Sequence, residues 1–223
     1  MIGLLPPNVA FGSTDPQILQ LMALSEEEGG QLSTRGNWTA LQQESVFNTV
    51  ALENQGSLDT IAPGCLYIVN NTIWNRAEHM PVFGPVDQQA WQQIKSQFFT
   101  GPFNQFRIKN NKLLYTPIPQ AGQECAFEFI SENWIYDPVG STTSRFWMAD
   151  TDTPVLKDDL IVLGTIWRWK QVKGLDYAED FNKYERAVLD ALNRDGSKPQ
   201  LSMQGSPMDI APVVILPVGS WNT

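Results

Sequence analysis

His79 is the sole histidine of a 223-residue chain, so no His-based triad, His pair or multi-histidine metal centre can be assembled within one copy. Cys65 and Cys125 have no second ligand pair nearby, a spacing that fits two reduced, buried thiols better than a zinc site or a disulfide framework. Asp150 and Asp152 form a DxD that could hold a divalent ion. In an EF-hand loop starting at Asp150, however, the sixth position would be Gly and the twelfth Glu, and here they are Val155 and Ile161. Polarity at a helix start is the preferred reading of that pair. A two-carboxylate glycoside hydrolase has 24 acids to draw on, but nothing marks two of them as held about 5 to 9 Å apart. The chain also lacks a GxGxxG before a helix, a P-loop, a GxSxG elbow, an HExxH and a CxxC, so no catalytic centre, cofactor or metal is expected.

The residues with most potential for contact are Trp167, Arg168, Trp169 and Lys170, with Lys173 and Tyr177 close behind. Interleaved aromatic and basic side chains can stack bases and pair with phosphates. They are also typical of the centre of a protein interface. On a helix Trp167 and Trp169 point about 200° apart, so one belongs to the core and the other to an interface. With 24 acids against 15 bases the net charge is −9, which disfavours a general grip on phosphates and favours the protein interface. Replacing Arg168 and Lys170 together is then expected to leave the fold intact and weaken assembly.

The elements that must position this cluster form an αα-hairpin. Thr153 as cap and Pro154 at the first position predict a helix over 154–173, with Leu156, Leu160, Leu163, Trp167 and Val172 on its apolar face. Gly174 supplies the stop. Asp176 and Glu179, in capping-box spacing, open a second helix over 177–194 carrying Phe181, Tyr184, Val188 and Ala191/Leu192. Thr14, Asp15 and Pro16 start an earlier helix over 15–35, in which Gly29 and Gly30 predict close approach by another helix. A shorter helix spans 87–98, with Ala90, Trp91, Ile94 and Phe98 on one face.

Strands are expected near Ser45 to Val50 and Cys65 to Val69, with a turn at Gln55-Gly56 between them. A β-meander over 104–130 follows: Phe106 to Lys109, a tight Asn110-Asn111 turn, Lys112 to Thr116, then Glu124 to Ile130. Trp38 is assigned to the core, and Trp134 and Trp147 are expected to wedge sheet against helices. The fold class is therefore α+β: an N-terminal helix and a C-terminal αα-hairpin forming a helical bundle, a small antiparallel β-meander, and extended arms. The main domain is 14–195. Residues 1–13 read as an N-terminal arm and 196–223 as a C-terminal arm. Val213, Ile215 and Leu216, flanked by Pro212 and Pro217, and Trp221 are expected to bind another chain's surface. No basic n-region leads an apolar run and no window approaches eighteen apolar residues, so export and membrane insertion are not expected.

Three stretches in this order, NWTALQQESVFNTV, IVNNTIWNR followed by GPVDQQAW, and MADTDTPVLKDDLIVLGTIWRWKQVKGLDYAEDFNKYERAVLDAL, resemble the head-to-tail adaptor proteins of short-tailed bacteriophages. The resemblance spans about Asp15 to Leu201 and does not cover the first dozen residues or the last twenty. It implies a virion protein of the tail or neck, assembled in the host cytoplasm. Copies would form a ring, usually of twelve, docked under the portal protein and carrying tail nozzle, hub or fibre proteins below. Double-stranded DNA would pass through its centre without sequence-specific binding. Twelve copies at −9 each carry about −108, and an acidic lining repels phosphate over a Debye length of roughly 8 Å. Another neck component, such as a head-completion or stopper protein, remains open. So does a tail-borne peptidoglycan glycoside hydrolase. A monomeric DNA-binding module is disfavoured by the charge.

Overall fold

A computed structural model describes residues 9–97, 101 and 103–196. Helices and antiparallel sheets are mixed, around two separate apolar cores. Helix α1 runs Pro16–Thr34; Asp15 accepts from the Gln17 N–H and Pro16 fills the first position, as its sequence predicts. A short 3-10 turn (Thr39–Leu41) leads into β1 (Gln42–Asn48), then β2 (Asn54–Ser57), the single-turn helix α2 (Leu58–Ile61) and β3 (Cys65–Ile68). β4 (Trp74–Asn75) and β5 (Met80–Pro81) precede α3 (Gln88–Ser96), which Asp87 caps by accepting from the Ala90 N–H. Next come β6 (Gln105–Lys109), β7 (Lys112–Thr116) and β8 (Glu124–Ser131). The small strands β9 (Ile135–Asp137), β10 (Thr142–Ser144) and β11 (Thr153–Pro154) lead to α4 (Asp158–Val172) and α5 (Ala178–Arg194).

The expected meander is corrected. β6 and β7 do form the Asn110-Asn111 hairpin, with φ of 50° and 57° at the two turn residues. β8, however, does not continue that sheet. It pairs with β1 on one edge and with β3 and β4 on the other, while β2 adds to β7 to complete a second sheet. The two sheets bury Phe106, Leu113 and Tyr115 of one against Cys125, Phe127 and Phe129 of the other, with Phe47 set edge-on to both Tyr115 and Phe127. Gln55 and Gly56 lie inside β2 and are not a turn; the pairing register shifts there, and Gly56 takes φ 141°. β1 starts three residues before the expected Ser45.

The helical core joins Leu32 and Trp38 to Ile130, Trp134 and Ile135, and to Leu160, Tyr184, Val188 and Ala191 of the hairpin. Trp38 donates its indole N–H to the Leu32 carbonyl at 2.7 Å. Trp134 is fully buried and meets Trp147 edge-on, 5.1 Å between ring centres, where sheet and helices join. Gly29 is needed here: a Cβ would stand 2.2 Å from the Trp134 ring. The close neighbour of Gly29 is thus an indole and not a helix. The helix-on-helix approach occurs at Gly164 of α4, where a Cβ would meet Glu28 of α1 at 2.1 Å.

The start of α4 is also corrected. Thr153 and Pro154 pair with β9 as strand, the Val155 N–H donates to the Trp134 carbonyl, and the helix begins only after Lys157. Asp152 caps no helix: its Oδ2 accepts from the Met148 and Ala149 N–H groups at 2.7 and 2.9 Å. Asp150 Oδ1 accepts from Ala10 and Phe11 at 3.0 and 2.8 Å. The DxD therefore organises a turn and fixes residues of the N-terminal stretch, with no helix end involved. On α4 the buried side chains are Leu160, Ile161, Arg168 and Trp169, whereas Val172, expected on the apolar face, is 51% exposed.

Candidate assembly surface

The tip of the α4–α5 hairpin is held by its turn. Gly174 takes φ 69°, its N–H donates to Gln171, and the Leu175 N–H donates to the Lys170 carbonyl at 2.8 Å, closing the last turn of α4. Asp176 accepts from the Ala178 N–H at the start of α5. This turn presents Val172, Leu175, Tyr177 and Phe181, all exposed apolar side chains, within ten residues of chain.

The six residues of the predicted cluster divide around it. Trp167 is half-buried, edge-on to Phe181 at 5.1 Å and tilted against Tyr177 and Tyr184 at 6.3 and 6.2 Å. Trp169 is buried, and Lys173 places its ammonium 4.5 Å from the Trp169 ring centre. Lys170 pairs with Asp180 across the hairpin, each about 30% exposed. Tyr177 caps α5 and is partly exposed. Arg168 is the exception. It is 6% exposed and points into the interior, where its Nε and Nη2 reach Glu28 Oε2 at 2.8 and 2.7 Å. Nη2 also donates to Gln31 at 2.8 Å, and the guanidinium lies 4.4 Å from the Trp167 ring centre. Arg168 is thus committed within the chain, and its replacement cannot leave the fold untouched. Val213, Ile215, Leu216 and Trp221 lie outside the described residues.

Glu28 and Gln31 escaped the sequence reading, although an acid spaced four from both Leu24 and Leu32 on a buried stripe was a signal for Glu28. Burial, and then the hydrogen bond and negative charge of Glu28, push the Tyr184 phenol well above its ordinary value. Arg35 closes the neighbouring end of this seam by pairing with Glu185 at 2.8 Å.

A shallow concavity of about 640 Å³ opens on the outer face of the first sheet, lined among others by Glu44, Glu128, Trp74, Arg76 and His79. Glu44 and Glu128 stand directly opposite each other on β1 and β8, and Arg76 pairs with Glu44. Both carboxylates are exposed. They lack the apolar enclosure that turns one carboxyl of a glycosidase into a general acid. His79 is exposed, at φ 57°. Both cysteines are free, Cys125 buried and Cys65 half-buried, and burial is the first cause that pushes each thiol up to about 11. Among the described residues no group of three His, Cys, Asp or Glu could hold a metal ion, and no helix is long and apolar enough to cross a membrane. Comparison with known proteins finds no family whose model matches the chain and no curated protein that matches it.

Proposed function

We propose that this chain is a structural subunit of a head-to-tail adaptor ring of a short-tailed bacteriophage, joining the portal to the tail around the DNA channel. The observation that supports it best is the hairpin tip. Beside Lys170 and Lys173, at a hairpin end closed by backbone hydrogen bonds, Val172 and Leu175 are more than half exposed, and Tyr177 and Phe181 lean on Trp167 with about a third of their surface open. A rigid apolar knob with a basic margin is the composition of an interface centre. Because the knob ends two long helices, it points away from their sides and is suited to meet another ring, the portal. The resemblance of DTDTPVL and WRWKQVKGLDYAED to adaptor proteins gives that partner its identity.

The test is the native mass of the full chain, alone and mixed with portal protein. A multimer alone that binds portal is expected. Val172→Asp with Leu175→Asp, both at exposed positions, should leave the multimer's mass unchanged and abolish portal binding. A variant that binds portal as tightly as the parent refutes the role of the tip, and a parent chain that stays monomeric with portal present refutes the ring. Turnover of purified peptidoglycan lost in Glu128→Gln would favour the hydrolase reading instead.

A further inference from the structure

We infer that a second copy of this chain docks side by side, seating its Arg145–Phe146 knob in the α4–α5 groove of the first. This rests on the ring reading and names the two faces that would build it. The groove is about 460 Å³, with Val162, Leu163 and Ala187 among its apolar lining and Lys157, Lys183 and Arg194 around it, besides Asp159 and Asp190. None of those three cations is in an ion pair among the described residues. The knob is Phe146, 56% exposed, with the Arg145 guanidinium 5.7 Å from its ring centre and anchored on Glu132 at 3.1 Å. Beside it lie Glu26 and Glu27 of α1. An exposed aromatic with Glu26 and Glu27 beside it suits an apolar groove whose margin carries these three cations against two acids.

The two faces are also distinct patches of the subunit. On α4, Gly164 and Arg168 face α1, and at about 100° per residue Asp159 and Val162 lie roughly half a turn away, so the groove opens on the side remote from α1. On α1, Glu28 and Gly29 face inward, Glu27 and Gln31 border the contact with Arg168, and Ala23, Gly30 and Thr34 turn outward next to Phe146. Two different patches of one subunit make a heterologous contact, the kind from which a ring is built when its rotation closes. Gly30 fits this arrangement. A mid-helix glycine destabilises by about 1 kcal/mol relative to Ala, and no atom of the described residues lies within 4 Å of where its Cβ would be, so no described part of the chain accounts for it. A neighbour approaching the bare backbone does.

The test uses the full chain with Phe146→Cys and Val162→Cys together, oxidised and run without reductant. A ladder of covalent multimers is expected, ending at the copy number of the ring. Either single variant and the control pair Leu52→Cys with Val162→Cys should remain monomeric on the gel. Charge reversal reads the same contact: Glu26→Lys or Lys183→Glu should each weaken self-association about fivefold, and the two together should restore it. A multimer by native mass without the ladder, or without restoration, overturns these faces and leaves the ring reading standing. A chain that is monomeric under all conditions overturns both.

Discussion

Replacing Arg168 by Ala should destabilise this protein strongly, although Arg168 reads as a surface base on α4. The guanidinium is 6% exposed and Glu28 fully buried, and their contacts at 2.7 and 2.8 Å are the means by which the carboxylate is neutralised. Glu27 is 3.5 Å from Arg168 but 53% exposed, and it carries the same sign as Glu28, so it cannot take over. Truncation therefore leaves a buried carboxylate without its partner, a loss of about 3–5 kcal/mol. The Gln31 hydrogen bond and the stacking on Trp167 go with it. With a urea slope of about 2–3 kcal/mol/M for a chain of this size, the unfolding midpoint should fall by about 1–2 M. Lys170→Ala, by contrast, removes a pair with both partners about 30% exposed and should shift stability by less than about 1 kcal/mol. Replacing Glu28 and Arg168 together by Met should recover most of the loss, because the buried charge is gone from both sides. Circular dichroism across a urea series measures all four proteins. A midpoint for Arg168→Ala within about 0.3 M of the parent would mean that Glu28 is hydrated, and the reasoning would fail.

Two adjacent glycines should respond with opposite sign. Gly29→Ala drives a methyl into the Trp134 ring and should destabilise by about 1–3 kcal/mol, whereas Gly30→Ala, in open space, should stabilise the isolated chain by about 0.4–1 kcal/mol; thermal melts of the two variants check this. Alkali should weaken the fold in a definite window. The Cys65 and Cys125 thiols rise from 9.0 to about 11 in the folded chain, so their neutral forms stabilise it fully below about pH 9, and that contribution is lost as pH rises toward 11. A urea midpoint that stays level from about pH 8.5 to 11 would contradict the burial of both thiols.

What the sequence shows clearly is whatever its own neighbours determine. Asn110-Asn111, Asp15-Pro16, Asp87 and Gly174 each set a turn or helix end by local geometry, and all four lie where their chemistry requires. Tyr184, Val188 and Ala191 were legible for the same reason, since one helical face repeats every three to four residues. The failures involve distant partners. Thr153-Pro154 satisfies a helix start and an edge strand equally well, and only the presence of β9 decides between them. β8 follows β7 in the chain yet pairs with β1, about eighty residues earlier, a choice no local pattern encodes. Arg168 read as an exposed base because its partner, Glu28, lies 140 residues away. At the candidate assembly surface, the turn at Gly174 was legible in the sequence, but the α4–α5 groove and the Phe146 knob depend on how three elements pack.

The division into two cores sets an order of events during synthesis. The sheet core draws on residues between Phe47 and Phe129 and can close once β8 has emerged. The helical core needs Leu32 at one end and Ala191 at the other. At about 5–20 residues per second, α1 is outside the ribosome for several seconds before α4 arrives to cover it. Through that interval the nascent helix carries Glu28 in water, where the charge is well hydrated and no partner is required. Water satisfies the acid until the arrival of Arg168 turns the same group into the link that fastens α1 to α4.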